Sequence, residues 1–191
     1  MMNLDDYSVF AGNKKTLKET SRDDSDISNV QYMTQSKLEV VDFDLVKRRY
    51  VNGLGLSEDC AASADAVLQR KDGISFIEFK NGKVNNRNIK DKARDSLLLF
   101  SDITGKNITY TRENVDFIVV YNLEKNPLPN QMERERLQEE PSRIDIANHF
   151  LGRDGKELVR FDLERYEKLY FRKIHTYSKT QFEEYLKKLC I

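Results

Sequence analysis

The chain has 191 residues, with 32 Lys or Arg balanced by 32 Asp or Glu, so its formal net charge is zero. This balance excludes attraction of nucleic acid by the charge of the whole molecule, and any contact with DNA or RNA must use a local patch. The hydrophobic content of 39% suits one globular domain, and no apolar run approaches the roughly 20 residues that span a membrane, so we expect a cytoplasmic protein with no membrane partner.

The first 35 residues are polar and rich in acids, and the run SRDDSD at Ser21–Asp26 is their clearest solvated segment. We predict that residues 1–35 form a polar N-terminal arm. Two short apolar stretches within it, Tyr7–Phe10 and Val30–Met33, are candidates to dock on the domain as strands or as part of the arm.

A helix is predicted between Lys37 and Leu54, because apolar residues recur there at loosely helical spacing and glycines follow. Asp42 or Asp44 is the candidate cap at its start. The basic triplet Lys47-Arg48-Arg49 is interpreted as a solvated face of this helix.

A tight hairpin is predicted over Ser63–Asn81. Two runs of apolar residues flank the dipeptide Asp72-Gly73, which is a strong signal for a two-residue turn. This turn predicts that Lys71 lies opposite Ile74 across the hairpin.

Counting back from that turn places Asp65 opposite Lys80. Because side chains alternate along a strand, Asp65, Glu78 and Lys80 are expected on one face of the hairpin. Directly opposed residues have Cβ atoms roughly 5 Å apart and diagonal neighbours are roughly 7–8 Å apart, so the two carboxylates can reach one ion. The other face is predicted to be apolar and to pack on helices, with Ala66, Leu68, Ile77 and Phe79.

Two acids and a lysine at one polar edge of an apolar sheet predict metal-assisted hydrolysis. Carboxylate oxygens are hard ligands that suit Mg²⁺ or Mn²⁺, and Mg²⁺ accepts only one or two protein carboxylates beside its waters. A neighbouring ammonium stabilises the negative charge that develops on a phosphodiester. Asp65 and Glu78 are therefore the candidate metal ligands.

An Asp in a strand, a hairpin, and then the triplet Glu78-Phe79-Lys80 resemble the PD-(D/E)xK nuclease superfamily. The resemblance implies that Asp65 and Glu78 bind the divalent metal and that Lys80 assists the attacking water, which makes all three catalytic. Ala64 stands where the family name has proline. The resemblance also implies a further acid before the hairpin, and the candidates in this chain are Glu39, Asp42, Asp44 and Glu58.

A helix is predicted over Ile89–Ile103, where an apolar stripe recurs at helical spacing. Lys92 and Ser96 lie on the flank of this stripe and are candidate substrate-binding residues, since the superfamily often has a basic or polar position on this helix. For Lys92 two interpretations stay open: contact with a substrate phosphate, or a side chain that extends along the surface to water.

The second half of the chain begins with a near-continuous apolar run at Val115–Tyr121, which predicts a buried central strand parallel to the strand ending in Lys80. Further on we predict a helix over Asp162–Leu169 and a strand over Tyr170–Tyr177. The sequence Ser178-Lys179-Thr180-Gln181 is a capping box that opens a last helix.

Together these elements predict an α/β fold with a mixed central sheet flanked by helices, a restriction-endonuclease-like core and an α+β C-terminal extension. One domain is expected at 36–191, with its core at 38–122, a charged excursion at 124–141 and the extension at 142–191. The expected function is Mg²⁺- or Mn²⁺-dependent hydrolysis of DNA or RNA. The alternative is a non-catalytic binding protein on the same scaffold, such as an immunity protein that neutralises a toxin.

Overall fold

A mixed six-stranded sheet lies at the centre of the computed structural model, which describes residues 2–128 and 158–189. Its strand order is β1-β4-β5-β6-β7-β8. The first four strands in that order pair antiparallel, whereas β6, β7 and β8 pair parallel. Helices pack on both faces, so the predicted α/β class with a mixed, helix-flanked sheet is confirmed.

The strands are β1 (Lys14–Thr16), β2 (Arg22–Asp23), β3 (Gln31–Tyr32), β4 (Glu39–Asp42), β5 (Ala66–Arg70), β6 (Gly73–Lys80), β7 (Val115–Tyr121) and β8 (Lys173–Ser178). The helices are α1 (Ser8–Ala11), α2 (Leu17–Thr20), α3 (Phe43–Gly53), α4 (Asn86–Thr104), α5 (Ile108–Asn114) and α6 (Lys179–Lys188), with 3-10 turns at Leu4–Asp6 and Glu164–Tyr166. β2 and β3 form a separate two-stranded ribbon.

The sheet separates two apolar clusters, and alternate residues of its strands enter each. On the face covered by α3 and α4, Val67 and Phe76 join the larger cluster. On the face covered by α2 and α6, the smaller cluster contains the four residues predicted for the apolar side of the hairpin, Ala66, Leu68, Ile77 and Phe79. The predicted division of the hairpin into two faces is therefore confirmed.

Three predicted elements are confirmed at close to their predicted bounds. The helix expected over Ile89–Ile103 is α4, and the strand expected over Val115–Tyr121 is β7, buried along its whole length. β7 pairs parallel with β6, as predicted. The last helix, α6, begins with the predicted capping box, in which Ser178 and Gln181 bond each other's backbone N–H groups.

Two helix predictions need correction. The segment from Lys37 to Leu54 contains strand β4 followed by helix α3. The helix begins only after Asp42, whose side chain accepts a hydrogen bond from Leu45 N and caps it. The residues before this cap are extended and pair in the sheet. The helix predicted over Asp162–Leu169 is only the 3-10 turn Glu164–Tyr166. The backbone is left-handed at Phe161, Asp162 and Lys168, which confines the helical turn to a few residues.

The predicted polar arm is instead part of the folded domain. Leu4, Phe10, Leu17 and Met33 are buried in the two clusters, and β1 pairs with β4 at the edge of the sheet. The polar composition of the segment is real, but widely spaced apolar residues are sufficient to anchor it.

The register predicted for the hairpin is wrong by two residues. Arg70 pairs with Gly73 and Gln69 pairs with Ile74, so the turn consists of Lys71 and Asp72. Gly73 is the first residue of β6 and not a turn residue, and it allows a close approach, since a Cβ atom there would lie 2.4 Å from the carbonyl oxygen of Asn114. A shift of two residues preserves which side chains share a face.

Gly73→Ala is expected to lower the free energy of unfolding by about 1–3 kcal/mol, because the added methyl group clashes with a backbone atom that belongs to the chain entering β7. Urea unfolding followed by circular dichroism measures the loss. Gly82→Ala is the matched control, since no heavy atom lies within 4 Å of its Cβ position. Equal stability of the two variants would contradict the close approach.

Several expectations fall outside the described residues. Most of the charged excursion at 124–141 and the first part of the extension at 142–191 belong to this part of the chain. Within residues 2–128 and 158–189, no helix is long and apolar enough to cross a membrane.

Candidate active site

The hairpin brings Asp65 and Glu78 side by side at one end. Asp65 directly precedes β5, and its backbone N–H donates at 3.1 Å to the carbonyl oxygen of Ile77, the residue that pairs with Ala66, so the regular ladder ends at Ala66. The Asp65 and Glu78 carboxylates are close enough for one lysine, Lys92 of α4, to contact both. Both side chains lie on the face of the sheet that α3 and α4 cover.

Lys92 of α4 bridges the two carboxylates. Its Nζ lies 2.8 Å from the carboxylate of Glu78 and 3.3 Å from Asp65 Oδ1. Burial alone would lower the pKa of Lys92, but the two carboxylates outweigh it and hold this pKa above its usual value. The side chain predicted to contact substrate therefore points at the acidic pair and stays charged.

Lys80 completes the group from the end of β6. Its Nζ lies 2.9 Å from Glu78 Oε1, and the Lys80 side chain is 24% exposed whereas that of Glu78 is fully buried. Lys92 Nζ lies 2.8 Å from the same oxygen, so two ammonium groups contact Glu78 Oε1. The three residues predicted to be catalytic therefore lie in one charged group, in which Glu78 contacts both lysines.

The carboxyl group of Asp65 has a pKa of about 7, well above its usual value of 3.8. Burial is the main cause, and repulsion by Glu78 adds to it, while attraction by Lys92 and a hydrogen bond from Phe79 N at 2.6 Å oppose it. Near neutral pH this carboxyl is therefore divided between its protonated and charged forms.

We expect Asp65→Asn to gain stability relative to the unchanged protein as the pH rises. Between its unfolded pKa and about 7, Asp65 holds a proton in the folded chain and loses it on unfolding, so the contribution of Asp65 to stability falls from about pH 4 to pH 7 and then levels off. Asparagine does not titrate. From pH 5 to pH 8, the difference in unfolding free energy is expected to move by about 2–3 kcal/mol in favour of the variant. Urea unfolding measures it, and parallel pH profiles would contradict the raised pKa.

Ser96 has a position different from the one predicted for a substrate-binding residue. It is fully buried, and its hydroxyl accepts a hydrogen bond from Ala64 N at 2.7 Å. Because Ala64 precedes Asp65, this hydrogen bond fixes the backbone just before Asp65. Ser96 is therefore a buried residue that supports the site.

A pocket of about 500 Å³ opens beside Asp65. Its cationic side chains are Lys15, Arg22 and Arg48, and Tyr32 adds one aromatic ring. The acids that line it are Glu19, Asp24, Asp42, Asp44 and Asp65. Sequence analysis missed Lys15, Arg22 and Tyr32, because they belong to the segment predicted to be an arm.

Asp42 and Asp44 are the two candidates for a further acid that reach this pocket, and both already have partners. Asp42 Oδ2 forms an ion pair with Lys15 Nζ at 2.7 Å, and Asp44 accepts a hydrogen bond from the Ser63 hydroxyl. Within the described part of the chain, no group of three or more His, Cys, Asp and Glu residues is arranged to hold a metal ion.

Comparison of the chain with protein-family models, curated proteins and solved structures gave no match.

Proposed function

We propose that the chain is a divalent-metal-dependent phosphodiesterase that hydrolyses DNA or RNA, with a site built like those of PD-(D/E)xK nucleases. One observation carries the proposal. The carboxylates of Asp65 and Glu78 both contact the ammonium group of Lys92, at 3.3 and 2.8 Å. A second lysine, Lys80, lies beside Glu78. Two acids and a lysine at one end of two central strands, next to an open polar pocket, are a suitable donor set for this chemistry.

The residues present fit Mg²⁺ or Mn²⁺. Both carboxylates already contact the ammonium group of Lys92, and Lys80 also contacts Glu78 Oε1, so the acidic pair attracts cations. Two carboxylates suffice for Mg²⁺, which keeps several waters of its own. Asp65 and Glu78 would hold the ion, and a bound ion supplies Lewis-acid polarisation of the phosphodiester.

The two lysines have different tasks. Lys92 neutralises the acidic pair from within the protein and keeps the carboxylates close together. Lys80 is more exposed, so its ammonium can orient an attacking water or stabilise charge on the phosphate from the open side. Ser96 holds the backbone before Asp65 in place for both.

The proposal is tested by incubating the purified chain with labelled single-stranded and double-stranded DNA and RNA, in Mg²⁺, in Mn²⁺ and in EDTA. Cleavage is expected with either metal and not with EDTA. A preparation that binds and cuts none of these substrates in either metal contradicts the proposal.

A second function is favoured by one specific observation. Lys92 already compensates Asp65 and Glu78, and Glu78 is fully buried, as expected of a scaffold that has exchanged its metal for an internal ion pair. Such a chain would bind a protein partner, for example a toxin that it neutralises. Thermal unfolding in millimolar Mn²⁺ separates the two functions: metal bound to the folded state raises the midpoint by mass action, and an unchanged midpoint favours the binding protein.

A further inference from the structure

We propose that the pocket beside Asp65 receives one single nucleic-acid strand, with a base stacked on Tyr32 and its phosphates bound by Arg22 and Arg48. This inference rests on the proposed function and adds its substrate class. The pocket volume of about 500 Å³ lies in the range that encloses one small ligand, and a duplex is too wide for it.

The ribbon of β2 and β3 provides the stacking and phosphate-binding groups. Arg22 and Tyr32 are direct partners across this ribbon. Their side chains therefore leave the same face of the ribbon from neighbouring backbone positions. Lys18 Nζ lies 4.8 Å from the centre of the Tyr32 ring and covers it from one side. A ring held in this way and bordering a pocket is the element on which proteins stack unpaired bases.

The two arginines are available to bind phosphate. Arg22 lies 3.8 Å from its nearest carboxylate, on Asp24, and Arg48 lies 3.4 Å from Glu58. Both arginine side chains are about half exposed, and exposed ion pairs of this length are weak. A phosphate that offers two oxygens to a guanidinium is the stronger partner.

Three of the five acids in the pocket already have hydrogen-bond or ion-pair partners within the protein. Glu19 Oε2 accepts hydrogen bonds from Thr16 N and Thr16 Oγ1 at 2.8 and 2.6 Å. Asp42 caps α3 and pairs with Lys15, and Asp44 accepts from Ser63. The five acids still outnumber the three bases of the pocket, so an anionic strand is accepted only when a divalent cation is also present.

The test is fluorescence anisotropy with labelled oligo(dT), oligo(U) and a duplex of equal length, each in millimolar Ca²⁺ and in EDTA. In Ca²⁺, at least one single strand is expected to bind about tenfold more tightly than the duplex, and EDTA is expected to weaken it by a similar factor. Tyr32→Ala and Arg22→Gln are each expected to weaken strand binding about tenfold. Tyr32→Phe keeps the ring and should bind like the unchanged protein, and Lys71→Gln, at the far end of the hairpin, is the charge-matched control.

Three results overturn the inference. Equal binding of strand and duplex, or variants that bind like the unchanged protein, removes the pocket as a strand site, and metal-dependent cleavage in the same preparation then leaves the proposed function standing. No binding of any oligonucleotide together with no cleavage overturns the inference and the proposed function. Circular dichroism of each variant establishes that a loss of binding is not a loss of fold.

Discussion

Glu78→Gln should lower the rate of metal-dependent cleavage about 10²–10³-fold, the range seen when one electrostatic group of an active site is removed. Glutamine keeps the shape of the side chain in its fully buried position in β6, so the fold is expected to remain. It removes the charge with which Glu78 would attract a divalent cation and leaves Asp65 as a lone acid beside Lys92. Single-turnover cleavage of a labelled strand in Mg²⁺ measures the effect.

Glu113→Gln provides the matched control. Glu113 is exposed in α5, at the end of the sheet where β7 begins, and β6 carries Glu78 towards the opposite end. The control should cleave at the unchanged rate. If both variants cleave equally well, the acidic pair does not hold the metal and the proposed mechanism is wrong.

Lys92→Met should destabilise the folded chain by about 3 kcal/mol at pH 8, because it leaves two carboxylates at close range without their shared cation. Methionine keeps most of the length and apolar surface of the lysine stem, so the loss reports the charge. At pH 5 the loss should shrink, since Asp65 then holds a proton and only one of the two acids is charged.

Lys90→Met is the control on the same helix. Lys90 pairs with Asp162 at 3.1 Å, but that carboxylate is 60% exposed, so its loss should cost less than about 1 kcal/mol. Millimolar Mg²⁺ should recover stability in Lys92→Met more than in the unchanged protein, because the ion replaces the missing charge. Equal costs for the two variants would show that Lys92 is only weakly coupled to the acids.

The position of the acidic group on one face was predictable because it depends only on the two-residue period of a strand. An error of two residues in register changed the cross-strand partners of β5 but left the side chains on the same face. β7 was also predictable from the sequence. Six of its seven residues are apolar, and such a run is typical of a central strand that is buried on both faces.

The pocket was not predictable, because long-range contacts build it. Arg22 and Tyr32 line the same pocket as Asp65 because Leu17 and Met33, close to them in the chain, are buried in the cluster under α6. Ser96 was on the predicted flank of α4, yet its role depends on the backbone of Ala64, far away along the chain. Composition identified residues 1–35 as polar but could not show that a few buried side chains anchor them.

The three-residue strand β1 has a consequence for expression of shorter fragments. It is the outer neighbour of β4, whose Val40 and Val41 are buried. A fragment starting at residue 36, where composition would place the domain boundary, would uncover the hydrogen-bonding edge of β4 and expose apolar side chains on both sides of the sheet. Such an unprotected edge pairs readily with other molecules, so this fragment is expected to self-associate into insoluble material.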